Sequence, residues 1–342
     1  MKSVAQSAAP ASGFGLPLDL APMEAKLAPA LPATGGPWQY EPKWDGFRCL
    51  AFKEGDEVDL RAKSGKPLGR YFPEMVALLR AQKIPRFVVD GELVIELDRR
   101  LSFDALQMRL HPAESRIRKL AAETPARLIL FDILLTPDGK PMLDKPLVER
   151  RRALEALLKK IGAHDQLTLS PCTHDSAQAT RWLGESGAST DGVVAKHLDG
   201  IYHPGERAMV KVKRIRTADC VVGGFRYQTG GREVGSLLLG LYNAAHELDH
   251  VGFTSAISDQ ERPALTRRLD ALREAPGFTG KAPGGPSRWS TDRSADWEPV
   301  RPELVVEVKF DQVTGDRFRH GTKLVRWRPD KAPAQCTFEQ IR

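Results

Sequence analysis

Short apolar runs bounded by turn residues recur along the chain and predict strands, while helical periodicity is confined to a few stretches. Trp38-Gln39-Tyr40, Phe47 to Phe52 and Val58 to Arg61 read as strand, turn, strand, with Glu54-Gly55-Asp56-Glu57 as the hairpin turn. Phe87 to Glu96 reads as a strand interrupted by Asp90-Gly91. Arg127 to Leu135 reads as a buried strand closed by Thr136-Pro137-Asp138-Gly139. Helices are predicted up to Arg80, with Pro73 in the first turn, over Leu101 to Leu110, over Leu147 to Ile161, ended by Gly162, and from about Ser176 to Glu185. The run Arg150-Arg151-Arg152 reads as a solvated helix face. Residues 1 to about 35 are rich in Ala, Pro, Gly and Leu without a clear period. Little order is expected from Ser3 to Gly15, and a short packed turn over Ala21 to Leu27.

After Arg216 the texture changes. Cys220 to Arg226, Ser236 to Tyr242 and Leu304 to Phe310 read as strands with glycine-rich turns between the first two. Ser258 with Glu261 fits a capping box opening a helix to about Glu274. Several strands and one helix in about 125 residues suit a small five-stranded barrel of the OB type.

At 342 residues the chain fits two domains of ordinary size. Lys and Arg number 51 against 44 Asp and Glu, a net charge of +7, and the isoelectric point is about 9.2. That balance permits a polyanionic partner without proving one. Cys49, Cys172, Cys220 and Cys336 are scattered and form no metal-type pair, which favours a reducing compartment. No transmembrane or signal segment is predicted, so a cytoplasmic location is expected, with no membrane partner.

Chemistry gathers first at Glu41-Pro42-Lys43-Trp44-Asp45-Gly46-Phe47-Arg48. A lysine, a carboxylate and an arginine within six residues fit a charged surface turn; they equally fit a nucleophilic lysine. Asp90-Gly91-Glu92 places two carboxylates in an apolar strand, where they need partners. Asp191-Gly192-Val193-Val194-Ala195-Lys196 repeats the pattern of acid, glycine and strand. In Lys211-Val212-Lys213 the period of two sets both lysines on one strand face, a pair that wants an anion between them. From Arg317 to Lys331 six Lys and Arg residues stand against one acid, Asp330, a basic tail that includes Arg328, Asp330 and Lys331.

Taken in order, Lys43-x-Asp45-Gly46-x-Arg48, Asp90-Gly91-Glu92, Phe131-Asp132, Asp191 to Lys196, Lys211-x-Lys213 and Arg328-Pro329-Asp330-Lys331 resemble the nucleotidyltransferase motifs of ATP-dependent DNA ligases. The resemblance runs from about Trp38 to Lys331. The compact layout is similar to bacterial ligase C and to the ligase module of bacterial ligase D, with no DNA-clasping, polymerase or nuclease module expected. The fold this implies is α+β: a nucleotidyltransferase (ATP-grasp-like adenylation) domain of antiparallel sheets with flanking helices over 36–215, then an OB-fold β-barrel over 216–342. Residues 1–35 would form a poorly ordered leader and the start of the adenylation domain.

The resemblance also implies roles. Lys43 would attack the ATP α-phosphate and carry AMP. Arg48 and Glu92 would hold the ribose hydroxyls, Phe131 would stack on adenine, and Glu41 lies where an adenine contact is expected. Lys196, Lys211 and Lys213 would surround the α-phosphate. Asp45 and Asp191 would hold a divalent metal, Mg2+ or Mn2+. Arg328, Asp330 and Lys331 would orient the pyrophosphate. Lys63 stands where the family usually has arginine, which keeps the charge and loses the bidentate fork. The implied partner is nicked double-stranded DNA, acted on by a monomer in DNA repair and recombination beside a primase-polymerase.

The residue types suit this chemistry. A lysine amine attacks only when neutral, and its ordinary pKa is about 10.4, so a nucleophilic lysine needs cations nearby. The same cations stabilise charge that builds on phosphate oxygens. RNA ligases and mRNA-capping guanylyltransferases share the lysine-nucleotide step, and the Arg-x-Asp-Lys ending fits DNA ligases better. A non-catalytic, nucleic-acid-binding relative would be marked by loss of Lys43 or Asp191, and both are present.

Overall fold

The computed structural model describes residues 13–32, 36–185, 190–284 and 296–341, and the chain divides into two units after Arg214. The expectation of little order near the start falls, up to residue 12, outside the described residues.

In chain order the first unit holds β1 (Ala25–Leu27), β2 (Trp38–Trp44), β3 (Phe47–Glu54), β4 (Glu57–Ala62), α1 (Pro73–Arg80), β5 (Arg86–Val94), β6 (Glu96–Leu97), β7 (Arg100–Leu101), α2 (Phe103–Met108) and α3 (Glu114–Glu123). It continues with β8 (Arg127–Leu135), α4 (Leu147–Ile161), β9 (Leu167–Leu169), α5 (Ser176–Glu185), β10 (Thr190–His197) and β11 (Met209–Val212). One sheet has the order β4-β3-β5-β8-β9 and the other β1-β11-β10-β2. Their pairings are antiparallel except β8 with β9 and β1 with β11.

Side-chain alternation explains how the sheets are covered. In β3, Cys49 and Ala51 point to a core shared with Met75 and Leu79 of α1, Leu106 of α2, and Leu154 and Leu157 of α4. Leu50 and Phe52 point the other way, into a core with Phe14, Leu16, Met23 and Met209 that lies between the two sheets. The stretch read as a loose leader therefore supplies core residues. Ala25–Leu27 is a strand rather than a turn, because β11 offers it an edge to pair with. On the small sheet, Tyr40, Val193 and Ala195 pack against Ala179 of α5.

Several readings need correction. The Asp90-Gly91 step does not interrupt β5; only the register with β8 shifts there. The second predicted helix is shorter, because Leu101 belongs to β7 and the Ser102 hydroxyl caps α2 by accepting from the Ala105 N–H at 3.2 Å. Helix α3 was not expected; its buried side, Ile117 and Ala121, is too narrow a stripe to read from sequence. The arginine run is not a solvated face. Arg150 is 1% exposed and Arg151 is buried, and only Arg152 faces water. Arg150 reaches back to Asp132 of β8 at 2.8 Å, and Arg151 donates to Glu155 at 2.7 Å and to the Ser170 carbonyl at 2.9 Å. A buried carboxylate in an apolar strand requires such a cation.

The second unit holds β12 (Arg216–Tyr227), β13 (Val234–Tyr242), β14 (Leu248–Thr254), α6 (Arg262–Asp270), β15 (Glu298–Pro299), β16 (Val305–Phe310), β17 (Val313–Thr314), β18 (Arg317–Phe318) and β19 (Lys323–Trp327). Its main path is β14-β13-β12-β16-β19, antiparallel throughout. The two edge strands meet through a single parallel bridge between Thr254 and Thr322, where Thr322 N–H donates to the Phe253 carbonyl at 3.0 Å. The sheet is thus bent into a partly open barrel around Val221, Phe225, Leu239, Val251 and Val306. Helix α6 is shorter than the capping-box reading implied: the Ser258 hydroxyl donates to the Glu261 side chain at 2.7 Å instead of capping the backbone. Among the described residues no helix is long and apolar enough to cross a membrane.

Candidate active site

The space between the two sheets of the first unit opens into a cavity of about 210 Å³. Strands from both sheets present charged side chains and one aromatic ring to it: Glu41 and Lys43 from β2, Arg48 from β3, Glu92 from β5, Phe131 from β8, Lys196 from β10 and Lys211 from β11. Lys63, just past β4, lines it too. Eight residues singled out from the sequence thus share one cavity. Asp45, Asp191 and Lys213 do not line it.

Lys43 Nζ lies 2.7 Å from Asp191 Oδ2, and Lys213 Nζ lies 3.0 Å from the same oxygen. Asp191 is buried, so two ammonium groups converge on one shielded carboxylate. Lys213 falls just beyond β11, and Asp191 joins it to Lys43. Burial, with Lys43 and Lys213 close by, lowers the pKa of Lys211. The backbone allows these approaches only through glycine. A Cβ on Gly192, at φ +142°, would meet the Val212 carbonyl oxygen at 2.1 Å, and one on Gly46 would meet that of Leu93 at 2.2 Å.

At another wall of the cavity Arg48 grips Asp90 with two nitrogens, at 2.5 and 2.6 Å, and donates to the Met23 carbonyl at 3.1 Å. Its guanidinium lies 4.6 Å from the centre of the Phe131 ring. Lys196 Nζ is also 4.6 Å from that ring and 2.9 Å from Glu41 Oε1. Gln39 donates to the same Glu41 oxygen at 2.7 Å. Lys196 is therefore grouped with Glu41 and Phe131, apart from the pair on Asp191. Burial raises the Glu92 carboxyl to about 7, against the pull of Arg48 and Lys43, and Asp45 adds repulsion. Lys63 pairs with Glu24 at 2.9 Å, and that hydrogen bond holds the Glu24 carboxyl below its ordinary range.

The sequence-derived metal ligands Asp45 and Asp191 offer only carboxylate oxygens. Among the described residues no group of three or more His, Cys, Asp or Glu side chains is arranged to hold a metal. Such a set suits a hard cation that takes most of its ligands from phosphate and water, as Mg2+ does, and does not suit a caged structural ion. In the second unit, Arg328 donates to Asp219 at 2.9 Å and holds Asp330 through two nitrogens, while Lys331 lies 3.4 Å from Asp219.

The family model described as "ATP dependent DNA ligase domain" matches residues 20–213, and "ATP dependent DNA ligase C terminal region" matches 230–331. The chain belongs to the ATP-dependent DNA ligase family. DNA ligase C1 of Mycolicibacterium smegmatis is 45% identical over 331 residues, covering 94% of this chain and 93% of that protein. DNA ligase C of Mycobacterium tuberculosis is 42% identical over 338 residues, with the same coverage. A solved structure of a Lig E DNA ligase, titled as binding DNA with a minimal scaffold, superposes with a TM-score of 0.58 at 18% identity. It covers 90% of this chain and 99% of that one, a likeness of fold.

Sequence reasoning passed over Met23, Glu24, Gln39 and Tyr202 as site residues, and treated Asp90 only as part of a motif. Asp90 could have been found: a fully buried carboxylate two residues before Glu92 must have a cation partner. Met23, Glu24 and Tyr202 carry no local signal, because their partners lie far away in sequence or belong to the backbone, whereas Gln39 bonds to Glu41 two positions on along β2.

Proposed function

We propose that this protein is an ATP-dependent DNA ligase that joins a 5′-phosphate to a 3′-hydroxyl at a nick, in DNA repair and recombination. The observation that carries this reading is Lys43: a lysine at the wall of a polar cavity, 2.7 Å from a buried carboxylate and close to Lys211. A surface lysine needs no such surroundings; Lys211 nearby favours the neutral amine that attacks phosphorus, and Asp191 holds that amine in place.

In the first step Lys43 Nζ would attack the α-phosphorus of ATP. A P–N bond forms, the bond to the bridging oxygen breaks, and pyrophosphate leaves. Asp191 would hold the Lys43 amine in place, and the proton shed as the P–N bond forms would pass to solvent. Lys211 and Lys213 would offset the negative charge that grows on the phosphate oxygens. Arg48 and Glu92 would hold the ribose hydroxyls, and Phe131, Lys196 and Glu41 would form the adenine end. Lys63 would meet phosphate once it leaves Glu24. Arg328, Asp330 and Lys331 would turn the pyrophosphate for departure. Asp45 and Asp191 would hold a divalent cation, Mg2+ or Mn2+, and such an ion draws charge from the phosphates and orients the leaving group. The AMP then passes to a 5′-phosphate at the nick, breaking the P–N bond. The 3′-hydroxyl displaces AMP and closes the strand. A repair primase-polymerase is the expected partner, and a monomer the expected state.

The test is sealing of a nicked duplex with ATP and Mg2+. We expect joined DNA and no joining of a nicked RNA duplex. Joining confined to RNA would replace this reading with that of an RNA ligase.

A further inference from the structure

We propose that Tyr202 is a positioning residue for nucleotide selection: its hydroxyl fixes Arg48 and the Met23 wall of the cavity, and thereby sets the preference for intact ribose hydroxyls. The inference rests on the proposed function, in which Arg48 contacts the ribose.

Four groups form a closed ring of hydrogen bonds. The Met23 N–H donates to the Tyr202 oxygen at 3.0 Å. The Tyr202 hydroxyl donates to Asp90 Oδ2 at 2.6 Å. Asp90 accepts both nitrogens of the Arg48 fork. Arg48 closes the ring on the Met23 carbonyl. Met23, Asp90 and Tyr202 are all buried, so water does not replace a lost member. The Tyr202 oxygen uses one donor and one acceptor function.

The ring has consequences for the cavity because two of its members line it. Arg48 lies over Phe131, and Pro22 to Ala25 forms a wall. Without the hydroxyl, Asp90 still holds Arg48, but the Met23 N–H is left buried and unpaired, and the wall is free to move. Arg48 then loses the geometry of its third contact. Tyr202 is itself held from behind: Arg150, locked onto Asp132, lies 5.7 Å from the centre of its ring. The hydroxyl therefore has one orientation, which is what a positioning role requires.

The experiment measures self-adenylation with ATP, 2′-deoxyATP and 3′-deoxyATP, for the wild type, Tyr202→Phe, Asp90→Asn, Arg48→Lys and the double variant Tyr202→Phe/Arg48→Lys, with thermal midpoints alongside. We expect Tyr202→Phe to raise the ATP concentration for half-maximal adenylation rate about tenfold with the maximal rate changed less than about threefold, and to narrow the preference over a deoxy-ATP about tenfold. The double variant should be little worse than Arg48→Lys alone, because both act through one group. A Tyr202→Phe protein with unchanged preference overturns the proposal, whether or not its midpoint falls. If that variant does not fold, an unchanged preference in Asp90→Asn overturns it instead. An unchanged preference in Arg48→Lys fails differently: it removes the ribose role of Arg48, and the inference with it.

Discussion

Arg48 turns its guanidinium to Asp90, Met23 and the Phe131 ring rather than to water, and Lys43 and Lys196 are held in the same way by Asp191 and Glu41. The charged motif residues of the first unit were legible because they sit beside glycine or in and next to apolar strands, where charge is costly without a purpose. Their partners were not. Tyr202 stands 112 residues from Asp90, and no spacing rule reaches that far. His250 in the second unit is another such residue. It is buried, its Nδ1 faces the Arg317 guanidinium at 2.9 Å, and Phe278 packs against its ring. Burial, with Arg317 and Arg226 nearby, lowers its pKa to about 3. The unfolded chain, with an ordinary histidine near 6.5, takes up the proton first as pH falls. The stability from a neutral His250 is therefore full above about pH 6.5 and is lost towards pH 3, with a slope of at most about 1.4 kcal/mol per pH unit. Urea titrations of His250→Gln should show a shallower decline with acid over that window. A slope equal to the wild type's would show that His250 is not the group responsible.

Strands and helices were read where their apolar positions kept a period, as in β8 and α4. Charge misled where it sat on a helix. Arg150, Arg151 and Arg152 are identical in sequence terms, yet their burial differs because one turn of α4 aims the first at Asp132. The sign of this was in β8: Asp132 lies among wholly apolar neighbours and had to find a cation. Removing that cation strands a buried carboxylate. Arg150→Ala should lower unfolding free energy by about 3–5 kcal/mol, and Arg152→Ala should change it by less than about 0.5 kcal/mol. Chemical denaturation compares the two directly; equal effects would restore the view of a solvated face.

For the whole molecule, the resemblance to ATP-dependent DNA ligases implied an α+β chain, and the first unit is a pair of sheets with helices on their outer faces. What the sequence could not supply was the order of strands. Strand β2 pairs with β10, about 150 residues later, and β3 pairs with β5, so neighbouring strands in sequence enter different sheets. That divergence after Trp44 is what opens the cavity between the sheets and places Lys43 on one side of it and Arg48 on the other. Lys43 is the proposed attachment point for AMP, and every later step depends on it. Incubation with α-labelled ATP and Mg2+, followed by denaturation and peptide mapping, tests it most directly. Label retained on a peptide containing Lys43, and absent from Lys43→Ala, is the predicted result. No covalent adduct in the wild type, or an adduct that survives Lys43→Ala, would contradict it.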